Sequence, residues 1–101
     1  MPAPDPVYAQ IAARFTRFDV TKTRGGYTLN DRRSGNPIAR LRIVPKSDDF
    51  QLLYWSLTRE SWRPFGPLGA LEVGIDEAHE IIERESLFQL PRQSWISRLF
   101  R

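Results

Sequence analysis

Between Pro37 and Pro67 the chain reads PIARLRIVPKSDDFQLLYWSLTRESWRPFGP, and this stretch commits it to an antiparallel sheet. Ile38–Val44 alternates, with Arg40 and Arg42 on one face of an extended chain and Ala39, Leu41 and Ile43 on the other. Pro45–Asp49 breaks that run, and Phe50–Leu57 resumes as a strand apolar on both sides, the mark of a central strand. Thr58–Ser61 turns the chain again. Trp62–Phe65 then reads as a short edge strand, where the missing N–H of Pro64 is tolerated.

The flanks supply what such a sheet packs against. Asp5-Pro6 is a helix start, an aspartate cap followed by proline at the first helical position. Val7, Ile11, Phe15 and Phe18 recur at near-helical spacing, which predicts a helix over Pro6–Phe15. The period then falls to two, and two strands, Phe18–Thr23 and Tyr27–Asp31, flank the Arg24-Gly25-Gly26 turn. Arg33–Asn36 turns into Pro37. After a loop over Gly66–Leu71, Glu72–Gly74 leads into a second helix with Asp76 as the expected cap and Ala78, Ile81 and Ile82 as its buried side. That helix ends over Leu87–Pro91, and Trp95, Ile96, Leu99 and Phe100 with Arg92, Arg98 and Arg101 form a basic amphipathic tail. The expected fold is α+β: an N-terminal helix, an antiparallel β-meander of about four to five strands, a C-terminal helix and the short tail. A length of 101 residues holds one core, so residues 1–101 are read as a single domain, with residues 1–4 and 92–101 its loosely attached segments.

Composition narrows the function classes. The absence of cysteine excludes disulfides, thiolate metal sites and thiol nucleophiles, and a reducing cytoplasm is the expected compartment. The opening MPAPDPVYAQ lacks the basic and apolar regions of a signal peptide, and no run approaches the roughly 18 to 20 apolar residues of a membrane span. The net charge of +3 conceals an asymmetry: residues 1–63 carry eleven basic and six acidic side chains, whereas residues 72–85 carry one and six. Thirteen of the fifteen cations are arginine, whose planar fork suits phosphates, carboxylates and aromatic faces.

Catalytic chemistry finds little support. His79 is the only histidine, and with Glu83 one turn away it could offer two metal ligands where a zinc site needs three or four. Asp48 and Asp49 are adjacent and point apart in an extended turn. No G-x-S-x-G, phosphate loop or dinucleotide fingerprint occurs. The expectation is a binding protein rather than an enzyme, with no catalytic residue, metal, cofactor or small-molecule substrate.

The sheet carries the functional suspect. Setting Val44 opposite Phe50 across the loop Pro45–Asp49 places Arg42 opposite Leu52 and Arg40 opposite Tyr54. Tyr27, Arg63 and Phe65 then complete a candidate binding face of Tyr27, Arg40, Arg42, Tyr54, Arg63 and Phe65. Leu41, Ile43, Leu53, Trp55, Leu57 and Trp62 would form the core on the other side. Arginine and aromatics together suit a protein interface, so a homodimer or protein partner is the first expected use of this face. Single-stranded nucleic acid is the second, with cations for phosphates and rings for bases.

The order Pro37-Ile38-Ala39-Arg40-Leu41-Arg42, then Leu53-Tyr54-Trp55, then Arg59 and Trp62, resembles a family of short bacterial proteins known only as a domain of unknown function. The resemblance covers about residues 37–85. It implies a P-(I/V)-A-R-L-R strand, an L-Y-W strand, a tryptophan-containing strand and a terminal helix, and it brings no activity or site. The sequence departs from the family pattern in its Trp95–Arg101 tail. In architecture alone, the expected strands followed by a helix are also similar to single-stranded-DNA-binding transcriptional coactivators.

Overall fold

The structure, a computed structural model, describes residues 5–66, 69 and 71–88. Helix α1 spans Pro6–Arg14, with Asp5 in extended conformation as its cap. Asp5 Oδ1 accepts hydrogen bonds from the Val7 and Tyr8 N–H groups at 3.0 and 3.1 Å, satisfying two of the donors that a helix start leaves open. Six strands follow: β1 (Phe18–Thr23), β2 (Gly26–Asp31), β3 (Pro37–Ile43), β4 (Phe50–Ser56), β5 (Ser61–Pro64) and β6 (Leu71–Val73). Helix α2 covers Ile75–Arg84, and a 3₁₀ turn at Ser86–Phe88 closes the described chain. The architecture is α+β, as expected; the Trp95–Arg101 tail lies outside the described residues.

All strand pairs are antiparallel. The sheet runs β1-β2-β3-β4-β5, and β6 also pairs with β4. Strand β6 lies against Phe50–Leu52 and β5 against Leu53–Ser56, so the two short strands share one edge of β4 end to end. Strand β6 falls where a loop and helix lead-in are expected: three residues beside a Gly/Pro segment are too few to show a period of two. The expected cap of α2 is also corrected. The helix begins one residue before Asp76, with Gly74 at the cap position, and Asp76 and Glu77 lie in the first turn, where carboxylates complement the helix dipole.

Both helices lie on one side of the sheet. Ile11 and Phe15 from α1, Ala78, Ile81 and Ile82 from α2, and Phe88 from the 3₁₀ turn form one buried cluster with Phe18, Tyr27, Leu29, Ala39, Leu41, Phe50, Leu52 and Val73. An irregularity between Leu29 and Asn30 sets Asn30 against Pro37, and Ile38 joins the same cluster. Leu53 is only 2 % exposed yet stands outside this cluster, because it projects from the opposite side of β4. Among the described residues no helix packs on that opposite side.

Candidate functional site on the helix-free sheet face

The register decides which residues share a face, and it differs by one residue from the expected pairing. Ile43, not Val44, lies opposite Phe50; Leu41 pairs with Leu52, Arg42 with Gln51 and Arg40 with Leu53. The connecting loop is therefore six residues, Val44–Asp49, with a turn closed by the Ser47 N–H donating to the Val44 carbonyl at 3.2 Å and Lys46 at φ 62°. A loop one residue longer carries every side chain of one strand to the other face relative to its neighbour.

The candidate face is thereby divided. Tyr27 pairs with Leu41 and is 2 % exposed in the core. Tyr54 and Phe65 pack against that core, edge-to-face and tilted on Phe88 with ring centroids 6.5 and 5.2 Å away, and Arg63 lies opposite Tyr54 on the same side. Arg40 and Arg42 are on the other face. In place of Tyr27, Tyr54 and Phe65, that face gives the arginines Trp55 and Trp62, two residues expected in the core. These two are a directly opposed cross-strand pair, half-buried, with ring centroids 5.3 Å apart at 74°. Leu53 sits between Arg40 and Pro64 in the next row, and Gln51 between Arg42 and Glu72 in the row beyond.

The tryptophan pair has its own signal in the sequence. Ser56 and Ser61 close the turn between β4 and β5, the Ser56 hydroxyl accepts from the Arg59 N–H at 3.2 Å, and Glu60 takes a left-handed φ of 49°. A four-residue connection centred on Thr58-Arg59 opposes Trp55 and Trp62 whatever the β3–β4 loop does.

Charge on the two faces is handled differently. On the helix side and around its rim, Arg14 pairs with Asp76, Arg17 with Glu83 and Lys22 with Asp5, at 2.8 to 3.2 Å; Asp19, which shares the face of Thr21, pairs with Arg32 at 3.8 Å. Among the described residues no carboxylate lies within ion-pair distance of Arg24, Arg40 or Arg42. Arg40 donates from Nη2 to the Arg24 carbonyl, which draws its guanidinium along the sheet toward the β1–β2 turn, and its Nε is buried without a hydrogen-bond partner. Arg42 reaches the Gln51 side-chain oxygen at a long 3.4 Å. Thr21, Thr23 and Thr28 continue the face onto β1 and β2.

The displaced pKa values belong to structural groups. Lys22, the Tyr8 N–H and the Tyr27 hydroxyl hold the Asp5 carboxyl down at about 2, and burial together with Asp5 pushes Tyr27 up to about 12. Asp31 is lowered by the Ser34 N–H and hydroxyl and by the Arg33 N–H, which fix the β2–β3 turn. His79 lies half-buried against Phe15, centroids 5.3 Å apart, with Nε2 3.7 Å from Glu83. Among the described residues no three His, Asp or Glu side chains gather as a metal site would need, and no helix is long and apolar enough to cross a membrane.

Comparison with protein-family models, with curated proteins and with solved structures found no match.

Proposed function

We propose that this protein is a non-enzymatic binding domain whose helix-free sheet face takes a single-stranded nucleic acid. The observation that carries the proposal is the placement of Arg40 and Arg42, without a carboxylate partner among the described residues, on the same face as Trp55 and Trp62. Cations that meet no carboxylate among the described residues are available to phosphates, and half-buried indoles offer flat surfaces to bases. The exposed hydroxyl of Thr21 extends the surface onto β1.

Self-association or a protein partner is the second reading, favoured by the apolar surface of Pro64 and the tryptophan pair. Charge weighs against a two-fold symmetric form whose axis passes near β3, since Arg40 and Arg42 of each copy would then face those of the other, and like charges across an interface are unfavourable. Titrating a fluorescently labelled oligothymidylate at low salt, with light scattering of the free protein alongside, separates the two. Binding by a monomer supports the nucleic-acid reading; a dimer that ignores the oligonucleotide at low salt supports the other and overturns it.

A further inference from the structure

A second surface lies on the helix side, remote from the arginine–tryptophan face. A groove of about 990 Å³ opens between α1, the β3–β4 loop and the start of α2. Its apolar wall includes Val7, Ile75 and Ile43, the last 44 % exposed although it ends a core strand. Among the described residues its rim carries Asp48, Asp49, Asp76 and Glu77 against a single cation, Arg14, which is engaged with Asp76 at 3.2 Å. Asp48, Asp49 and Glu77 have no cationic partner among the described residues. The groove thus asks for a segment that is apolar on one side and basic on the other.

We propose that the occupant is this chain's own C-terminal segment, residues 92–101, RQSWISRLFR. It offers Trp95, Ile96, Leu99 and Phe100 for the wall and Arg92, Arg98 and Arg101 for Asp48, Asp49 and Glu77, with no acidic residue of its own. Charge complementarity selects the groove over the helix-free sheet face, which would set these arginines against Arg40 and Arg42, and over the small apolar pocket at Phe65, Leu71 and Leu87, whose lining carries no carboxylate among the described residues. Length permits the connection within one molecule. Phe88 is packed on Tyr54, four residues along β4 from Phe50 at the groove, a distance of roughly 13 Å at strand rise. The seven residues from Phe88 to Trp95 can span up to about 23 Å. Occupied in this way, the groove leaves the sheet face free for its own partner.

The absence of cysteine makes the test direct. In the full chain, Leu99→Cys is combined with Ile43→Cys in the groove, and separately with Arg42→Cys, its neighbour on the opposite face. Both partners are exposed, so neither substitution removes core packing. Under mild oxidation at low protein concentration the 43–99 pair is expected to close within one molecule at least about ten-fold faster than the 42–99 pair, since docking raises the effective concentration of the two thiols. Adding Asp48→Lys and Asp49→Lys to the 43–99 protein should abolish that advantage, and high salt should reduce it. Equal rates for the two pairs, faster closure of 42–99, a product that is mainly a covalent dimer, or a rate untouched by the charge reversals overturns the proposal. Oligonucleotide binding by the sheet face is read separately and does not depend on the result.

Discussion

The Tyr27 hydroxyl donates a 2.9 Å hydrogen bond to Asp5 Oδ2, and through it the first residue of the helix cap is tied to the middle of the sheet. The same carboxylate accepts from the Val7 and Tyr8 N–H groups and pairs with Lys22 at 2.8 Å, so one side chain joins α1, β1 and β2. The Tyr8 hydroxyl adds a 3.1 Å bond to the Val20 carbonyl.

This junction predicts a stability profile with two limbs. Asp5 titrates at about 2 when folded, below the ordinary value near 3.9, so its stabilisation is present above pH ~4 and is lost as the pH falls toward ~2. Tyr27 is raised to about 12, so its contribution is complete below pH ~10 and is lost between ~10 and ~12, where the unfolded chain ionises first. Urea unfolding as a function of pH should show both limbs. Tyr27→Phe should abolish the Tyr27 part of the alkaline one and cost about 0.5–1.5 kcal/mol at neutral pH; unchanged alkaline stability in that variant would count against the assignment.

The two glycines of the β1–β2 turn should respond differently to substitution. Gly25 sits at φ 80°, where any side chain is strained whatever the space, so Gly25→Asn is expected to cost less than Gly25→Ala, asparagine being among the residues that accept left-handed φ. Gly26 has ordinary φ, but a Cβ there would lie 2.3 Å from the Leu41 carbonyl oxygen, a backbone atom that cannot swing aside. Gly26→Ala should cost at least about 1–3 kcal/mol in thermal or urea unfolding.

The register makes neighbours unequal. Leu41 is fully buried and Arg42 exposed, on opposite faces of β3. Leu41→Asp should destabilise by more than about 3 kcal/mol through an unpaired buried charge, whereas Arg42→Asp should stay within about 0.5 kcal/mol. Circular dichroism of the two purified variants decides this, and an unfolded Arg42→Asp protein would refute the assigned faces.

Much of the framework was legible because its signals are local. Asp5-Pro6 specifies a cap and a first turn by themselves, Gly25-Gly26 specifies a reversal, and Ile81-Ile82 with Ala78 marks the buried side of α2. What misled was parity. The alternation of Arg40 and Arg42 says that they share a face, but which aromatics join them depends on whether the β3–β4 loop holds five residues or six, and Lys46, an ordinary residue, supplies the left-handed turn without a glycine to announce it. The turn from Ser56 to Ser61 carried the more dependable clue to the tryptophan pair, since it fixes Trp55 against Trp62 locally.

Substitutions of aromatics should separate binding from folding. Trp62→Ala removes a ring from the helix-free face and should weaken oligonucleotide binding by about 1–3 kcal/mol if it stacks on a base. Phe65→Ala takes a ring from the cluster around Phe88 and should lower the melting temperature instead. Anisotropy titrations beside thermal melts of both variants test the contrast.

The most direct measurement is the salt dependence of oligothymidylate binding by the wild-type protein and by the Arg40→Gln/Arg42→Gln double variant. Each phosphate contact to a single strand contributes about −0.7 to the slope of log K against log salt, so loss of two contacts should make the slope shallower by about 1.4 while the fold is retained. Identical slopes in the two proteins, or no binding by the wild type at low salt, would contradict the assignment of this face to nucleic acid.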